Sequence, residues 1–461
     1  MMNPPDRIAQ YRIEQLQAEV DLVLGDSNRL ALLIYKNPVF RFLTYHLQNF
    51  FWTLTRLVGL GRWHDGSRPE PPLASRPLLK NAAPQRHPRI LIDATQTFTY
   101  GGHTGVQRVV REIAAAAAAS GEGLPIIIKG GRFVPYFQHP TFDAEIVAGA
   151  GDHLLLIDSV WYKPETYLPV ISEVAQKGCR IVLGIHDLIP LHYPWVAQNL
   201  AAGEAFRAWL ERAVPHADAI VTESRSMALE IRDHVAKLEH KPDLRLGWQH
   251  LGADFAVDSS PSREVVDFCA KGPYFLTVGM IEPRKGHPVA LAAFEKLWKR
   301  GIEARYLMIG QYGWNAQAFR QQILNHPEYR RRLFWLDRAS DADLGHAYRH
   351  ATSLVYPSFA EGFGLPLVEA GRYGLPVIAS DISVFREIGG EAITYFDLLD
   401  ADSLAARIAD ALAGKGVKPS FPICTWQEAA NGFMRLIRNG AYQLSLATKS
   451  AASGRSAIGM I

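Results

Sequence analysis

The chain has 461 residues, 48% of them hydrophobic and 21% charged, ordinary globular values that exclude wholesale disorder and allow two to four domains. Lys plus Arg number 49 against 46 Asp plus Glu, a net charge of +3, which gives no electrostatic reason to expect a nucleic-acid partner. The three cysteines, Cys179, Cys269 and Cys424, have no C-x-x-C spacing. They support neither a disulfide framework nor a structural zinc site, and a reducing, cytoplasmic compartment fits them best.

The N-terminus lacks a basic start followed by an apolar run, so it does not read as a secretory signal. Residues 1–63 read as an amphipathic helical extension. Its most apolar stretch, residues 30–60, is interrupted by Lys36, Arg41, His46 and Arg56 and falls short of a membrane span. Phe40, Phe42, Tyr45, Phe50, Phe51 and Trp52, with basic residues between them, suit either a peripheral contact with the inner membrane or packing on the protein's own core. Residues 64–88 are rich in proline and polar residues and read as a linker.

Alternation then begins. RILID at Arg89–Asp93 is a short apolar run of the kind found in buried parallel strands. A loop with Gly101, Gly102 and Gly105 follows, then the helical VQRVVREIAAAAAAS. Further strands are expected at residues 125–129, 153–158, 180–187 and 219–224, with helices at 204–213 and 226–238 between them. Near residue 258 turn residues gather (Asp258, Ser259, Ser260, Pro261 and Ser262), and the alternation restarts with strands at 274–278, 305–310, 333–336, 353–358, 376–380 and 392–396 and helices at 288–300 and 366–373. The pattern predicts an α/β chain with two tandem Rossmann-like doubly wound domains, 89–258 and 259–425. A C-terminal helix lies in 426–445, with Gly440 placed to end it, and a small, polar tail, 446–461, is expected to be disordered.

The chemistry concentrates in SFAEGFGLPLVEAGRYGLPVIAS, residues 358–380. Glu361 falls on the loop leaving a strand. Gly362, Phe363 and Gly364 form a turn, Leu365 and Pro366 open a helix, and Glu369 sits about one turn inside it. A helix N-terminus is an anion site, and glycines allow close backbone approach. Phosphate at the helix end, with a carboxylate on each side to accept hydroxyl hydrogen bonds, describes a sugar-nucleotide site.

This string resembles the E-x7-E signature of the retaining glycosyltransferases of family four (group 1), which have the GT-B fold. VGMIEPRKG at 278–286, IHDLIPLHYP at 185–194, GGHTGVQRV at 101–109 and ASDISVFREIGGEAITYFD at 379–397 resemble other motifs of the same family, so the likeness runs over about 89–442. It implies two domains facing a central cleft, with the N-terminal one taking the acceptor and the C-terminal one the nucleotide sugar. It further implies donor-binding roles for Gly102, Gly105, Arg284, Lys285, Gly362, Phe363, Gly364, Leu365 and Glu369, with Arg284 and Lys285 neutralising the leaving diphosphate. Many members carry an arginine directly after the glycine of that strand end, where this chain has Met280.

His186, ending an apolar strand, is implied to contact the donor sugar, and Glu361 to orient sugar hydroxyls; these are the catalytic candidates. Asp158, Trp161 and Asp187 are candidates for the acceptor site. No spacing of His, Cys, Asp or Glu demands a metal, and no cofactor is expected beyond the nucleotide sugar as co-substrate. The resemblance implies a glycosyltransferase of cell-surface polysaccharide synthesis, with GDP-mannose as first donor and a glycan or lipid-linked glycan as acceptor. A catalytically inactive relative acting as a scaffold, and a sugar-nucleotide epimerase or glycan phosphorylase with the same two-domain shell, stand as alternatives.

Overall fold

The computed structural model describes residues 3–24, 88–98, 104–136, 146–196, 201–254 and 260–446. The expectations for residues 30–60, for the linker up to residue 87, for Gly101 and Gly102, and for the tail from residue 447 lie outside them. The described residues divide into two compact units. One comprises those within Pro77–Leu188, Arg207–His250 and Trp426–Ile461, and the other those within Met1–Arg76, Ile189–Phe206 and Leu251–Thr425.

The first unit holds β1 (Ile90–Asp93), β2 (Leu124–Lys129), β3 (Arg132–Pro135), β4 (His153–Leu156), β5 (Arg180–Gly184), β6 (Ala219–Thr222), β7 (Arg245–Trp248) and β14 (Leu444–Ser445). They form one sheet in the order β14-β7-β6-β5-β4-β1-β2-β3. The pairs from β7 to β2 are parallel and the edge strands β3 and β14 run antiparallel. β1 and β4 are buried at every residue, as expected of parallel strands covered on both faces. The chain turns one way to β2 and the other way to β4, so the switch point of this sheet lies between β1 and β4.

The helix Trp426–Asn439 belongs to this unit although it follows the other sheet in sequence. Its apolar face, Phe433, Met434, Leu436 and Ile437, is buried. Arg438 binds the Pro88 and Glu122 carbonyls, and Gln427 binds the Ala116 carbonyl. Gly440, at φ 62°, ends the helix.

The second unit holds β8 (Tyr274–Val278), β9 (Arg305–Ile309), β10 (Leu333–Leu336), β11 (Ser353–Tyr356), β12 (Val377–Ser380) and β13 (Thr394–Phe396), all parallel, in the order β10-β9-β8-β11-β12-β13. Its switch point lies between β8 and β11. The core under the sheet joins Phe275, Phe294, Tyr306, Met308, Leu333, Val355 and Ile378.

The N-terminal helix Pro4–Leu24 packs on this same unit. Arg7 binds the Leu398 carbonyl and pairs with Asp400 at 3.4 Å, and Glu19 accepts from the Ala318 amide. A smaller cluster unites Tyr11 with Ile189, Val196, Val289, Phe359 and Leu398. Residues 189–196, which follow β5 in sequence, therefore pack on the second sheet's unit, a departure from a clean break near residue 258.

Candidate active site

In open α/β sheets ligands bind beyond the carboxyl ends of the strands, at the switch point. In the second unit those ends are the exits of β8 and β11, and they carry the sequence-predicted cations and the first acid. After β8 the chain passes Met280 and Glu282 into a short turn, Pro283–Lys285, closed by Gly286 at φ 66°. A Cβ on Gly286 would overlap the Pro357 carbonyl, so glycine there lets the turn lie directly against the loop leaving β11. The Phe359 amide donates to the Arg284 carbonyl at 3.0 Å and locks the two loops together.

Glu361 binds both cations: Oε2 lies 2.7 Å from Arg284 Nη1, and Oε1 lies 2.6 Å from Lys285 Nζ. Arg284 also reaches Glu282 at 2.8 Å and the Ala360 carbonyl at 3.2 Å, and Lys285 Nζ sits 5.5 Å over the Tyr356 ring. Two cations thus face two carboxylates. Burial alone would raise the Glu361 carboxyl, but Arg284 and Lys285 overturn that and hold it at about 2. Burial, together with the neighbouring Arg284, pushes the Lys285 ammonium below its ordinary value despite Glu361.

Gly362 and Phe363 continue the loop, with Phe363 buried, and Gly364 (φ 109°) is the N-cap of the helix Leu365–Arg372. No side chain caps that helix end. Pro366 is its second residue and Glu369 its fifth. Glu369 is 2% exposed and accepts from the Tyr348 hydroxyl at 2.7 Å. Arg284, Lys285, Glu361 and the helix end are thereby gathered at one switch point. Glu282, the second acid on Arg284, was not among the predicted site residues; its signal is an acid two positions before a basic pair at a strand exit.

In the first unit, charged side chains end four adjacent strands: Asp93 at β1, Asp158 after β4, His186 after β5 and Glu223 after β6. Asp158 accepts from the Thr97 amide at 2.6 Å, from the Thr97 hydroxyl at 3.0 Å and from the Ser159 amide at 2.7 Å. Burial raises its carboxyl in spite of these bonds. Asp93 is fully buried and accepts from Thr95, and burial together with Asp158 pushes its carboxyl up to about 7.

His186 places Nδ1 2.6 Å from Glu223 and Nε2 2.7 Å from the Ile157 carbonyl. Both ring nitrogens of this sequence-predicted catalytic histidine therefore engage the protein. Burial would lower the imidazole, but Glu223 and then the Ile157 carbonyl and Asp187 reverse this and raise it to about 9. Trp161 stacks on Tyr162 at 3.7 Å, where Tyr162 is exposed. Gly105 lies not in the loop but at the first position of the helix Gly105–Ser120, which Thr104 and Gln107 close with a capping box. Asp93 and Glu223 lie outside the candidates read from the sequence, although Asp93 directly ends an apolar run and Glu223 follows one with only Thr222 between.

Residues 258–420 match the family described as "Glycosyl transferases group 1". The matched segment is similar to a group 1 glycosyl transferase domain. That segment contains Arg284, Lys285, Glu361 and Glu369 together. The chain is 31% identical over 355 residues to the serotype-specific mannosyltransferase WbdA of Escherichia coli, a match over 71% of this chain and 42% of that protein. It is 27% identical over 224 residues to the O-antigen chain mannosyltransferase RfbU of Salmonella typhimurium, covering 49% of this chain and 58% of that one. The chain thus spans less than half the length of WbdA. Among solved structures, sucrose-phosphate synthase from Thermosynechococcus elongatus superposes with a TM-score of 0.52 at 18% identity, over 77% of this chain and 94% of that one. This shows a shared GT-B fold, with two parallel-sheet Rossmann-like domains.

Among the described residues no helix is long and apolar enough to cross a membrane, and no group of three or more His, Cys, Asp or Glu could hold a metal ion.

Proposed function

We propose that the chain is a retaining, nucleotide-sugar-dependent hexosyltransferase of cell-surface polysaccharide synthesis. It moves mannose from GDP-mannose to a glycan or lipid-linked glycan acceptor, at the cytoplasmic face of the membrane. The observation that carries this reading is the grip of one carboxylate, Glu361, on two adjacent cations at a sheet switch point of the matched segment. The names of the mannosyltransferases it resembles support the choice of sugar.

In this mechanism the diphosphate displaces Glu361 from Arg284 and Lys285. The cations pass to the leaving group, and the freed carboxylate turns to the sugar hydroxyls. The side-chain-free end of the helix at Leu365 adds backbone N–H donors to the phosphate, and Glu369 accepts from the ribose hydroxyls. The anomeric C–O bond to phosphate breaks as the acceptor oxygen bonds to the same face of the anomeric carbon. The acceptor's proton passes to the departing phosphate oxygen, and nucleoside diphosphate leaves. The charge that develops is on the diphosphate, where fixed cations in a buried site act most strongly.

The test is a donor panel of GDP-mannose, dTDP-rhamnose and UDP-sugars, reading release of nucleoside diphosphate with a mannoside acceptor. Release from GDP-mannose alone is expected. Consumption of another donor reassigns the sugar, and no consumption of any donor refutes the function. Membrane attachment through residues 30–60 rests on their aromatic and basic composition. Equal sedimentation of full-length chain and a deletion of residues 1–60 with anionic liposomes refutes it.

A further inference from the structure

The exits of β6, β5, β4 and β1 are joined by a continuous chain of polar contacts. Glu223 Oε1 meets His186 Nδ1 at 2.6 Å, and His186 Nε2 meets the Ile157 carbonyl at 2.7 Å. The next residue, Asp158, receives both the amide and the hydroxyl of Thr97, which lies on the segment leaving β1. Each link spans two neighbouring strands, and the last holds the segment that leads towards Thr104 and the helix at Gly105.

The proton count along this chain is constrained. A carbonyl oxygen only accepts, so Nε2 must carry hydrogen. Glu223 Oε2 accepts from the Thr222 hydroxyl at 3.2 Å, and Oε1 of the same carboxyl group faces Nδ1 at 2.6 Å, an arrangement that suits an N–H donated from Nδ1. Two further acids act with Glu223 on the ring: Asp187 beside it in sequence and Asp158 at the exit of β4. Glu223 is 3% exposed, so water competes little for the pair.

We propose that Glu223 is a positioning residue that keeps His186 doubly protonated, and that the resulting imidazolium ties the strand-end loops of the first unit together as a fixed cation rather than exchanging a proton during catalysis. This rests on the functional reading above only for its kinetic consequence. A ring whose two N–H groups both donate to protein acceptors has no lone pair with which to act as a base. His186 then holds its loop and the Ile157–Asp158 corner in place, and through Asp158 it presets the segment at Thr97.

The decisive experiment is NMR of the full-length chain labelled with 15N-histidine, following the His186 ring nitrogens between pH 6 and 10, assigned with His186→Asn. The expected result is both nitrogens protonated at pH 7.5, with a titration midpoint near 9. In Glu223→Gln the midpoint is expected to fall by one pH unit or more. A neutral His186 at pH 7.5 in the wild type, or a midpoint unmoved in Glu223→Gln, overturns the proposal. The wild-type titration alone can overturn the proposal even if the variant does not fold, and it needs no donor sugar, so failure of the functional reading shows up separately in the donor panel. In steady-state kinetics Glu223→Gln is expected to bring an alkaline loss of turnover down by the same interval, while the donor KM changes less than threefold. A pH profile identical to the wild type's contradicts the positioning role.

Discussion

The Tyr11 hydroxyl donates to the Pro283 carbonyl at 2.9 Å, joining residues 272 positions apart. The Tyr11 ring meets Phe359 edge-on at 5.9 Å. Pro283 immediately precedes Arg284, and Phe359 lies two residues before Glu361. The N-terminal helix thus touches both loops that carry Arg284, Lys285 and Glu361. Tyr11→Phe keeps the ring and leaves a buried carbonyl without its donor, at a cost of about 1–3 kcal/mol. Tyr11→Ala also opens a cavity, and large aromatic-to-alanine changes cost about 3–5 kcal/mol. Denaturant unfolding is expected to rank wild type, Tyr11→Phe and Tyr11→Ala in that order. Equal stabilities would mean that the helix does not brace the site.

The two acids of the E-x7-E string are expected to separate by function. Glu361→Gln frees Arg284 and Lys285 for phosphate, so affinity for bare nucleoside diphosphate should hold or rise while turnover falls. Glu369→Ala removes a buried acceptor of charge-assisted hydrogen bonds worth about 1.5–3 kcal/mol, or roughly 10- to 150-fold in affinity. Calorimetry on the two variants checks both statements. Loss of nucleotide binding in Glu361→Gln with none in Glu369→Ala reverses the assignment.

Much of this arrangement was legible in the sequence. The mostly apolar runs at 274–278 and 333–336 became β8 and β10 with those bounds, because buried parallel strands are marked by near-continuous apolar residues between turns. Glu361 and Glu369 fell on a loop and inside a helix because Gly362, Gly364 and Pro366 punctuate the chain between them. Non-local pairing was not legible. Nothing near Tyr11 marks Pro283 as its acceptor, and nothing near His186 marks Glu223. The helix Trp426–Asn439 shows a clean apolar face in sequence but not the sheet that receives it. The short edge strands β3 and β14 carry too few residues for a period to show.

The depressed Glu361 carboxyl also predicts a pH dependence. Its folded value, about 2, lies below the ordinary 4.5, so its ionised form contributes stability above about pH 4.5, and that contribution is lost as pH falls towards 2. The interval corresponds to something on the order of 3 kcal/mol. The stability gap between wild type and Glu361→Gln should be widest near pH 6 and close progressively below pH 4.5. A gap independent of pH would show that Glu361 is not held ionised by its two cations.

Transfer is expected to be independent of divalent metal, because in the proposed mechanism Arg284, Lys285 and the helix end at Leu365 supply the positive charge for the diphosphate. Turnover in excess EDTA should match turnover without it. Activity abolished by EDTA and restored by Mg²⁺ or Mn²⁺ would refute this.

Sugar transfer from a nucleotide donor with retention, driven by charge at Lys285 and Arg284, is read out in the product itself. The most direct measurement is proton NMR of the glycoside formed by the full-length chain from GDP-mannose and a mannoside acceptor, alongside Lys285→Met. An α-linked product from the α-configured donor is expected, with one GDP released per linkage and a rate reduced by about 10²–10³-fold in the variant, the usual cost of removing one group that stabilises developing charge. A β-linked product, or a Lys285→Met enzyme as fast as the wild type, would contradict it.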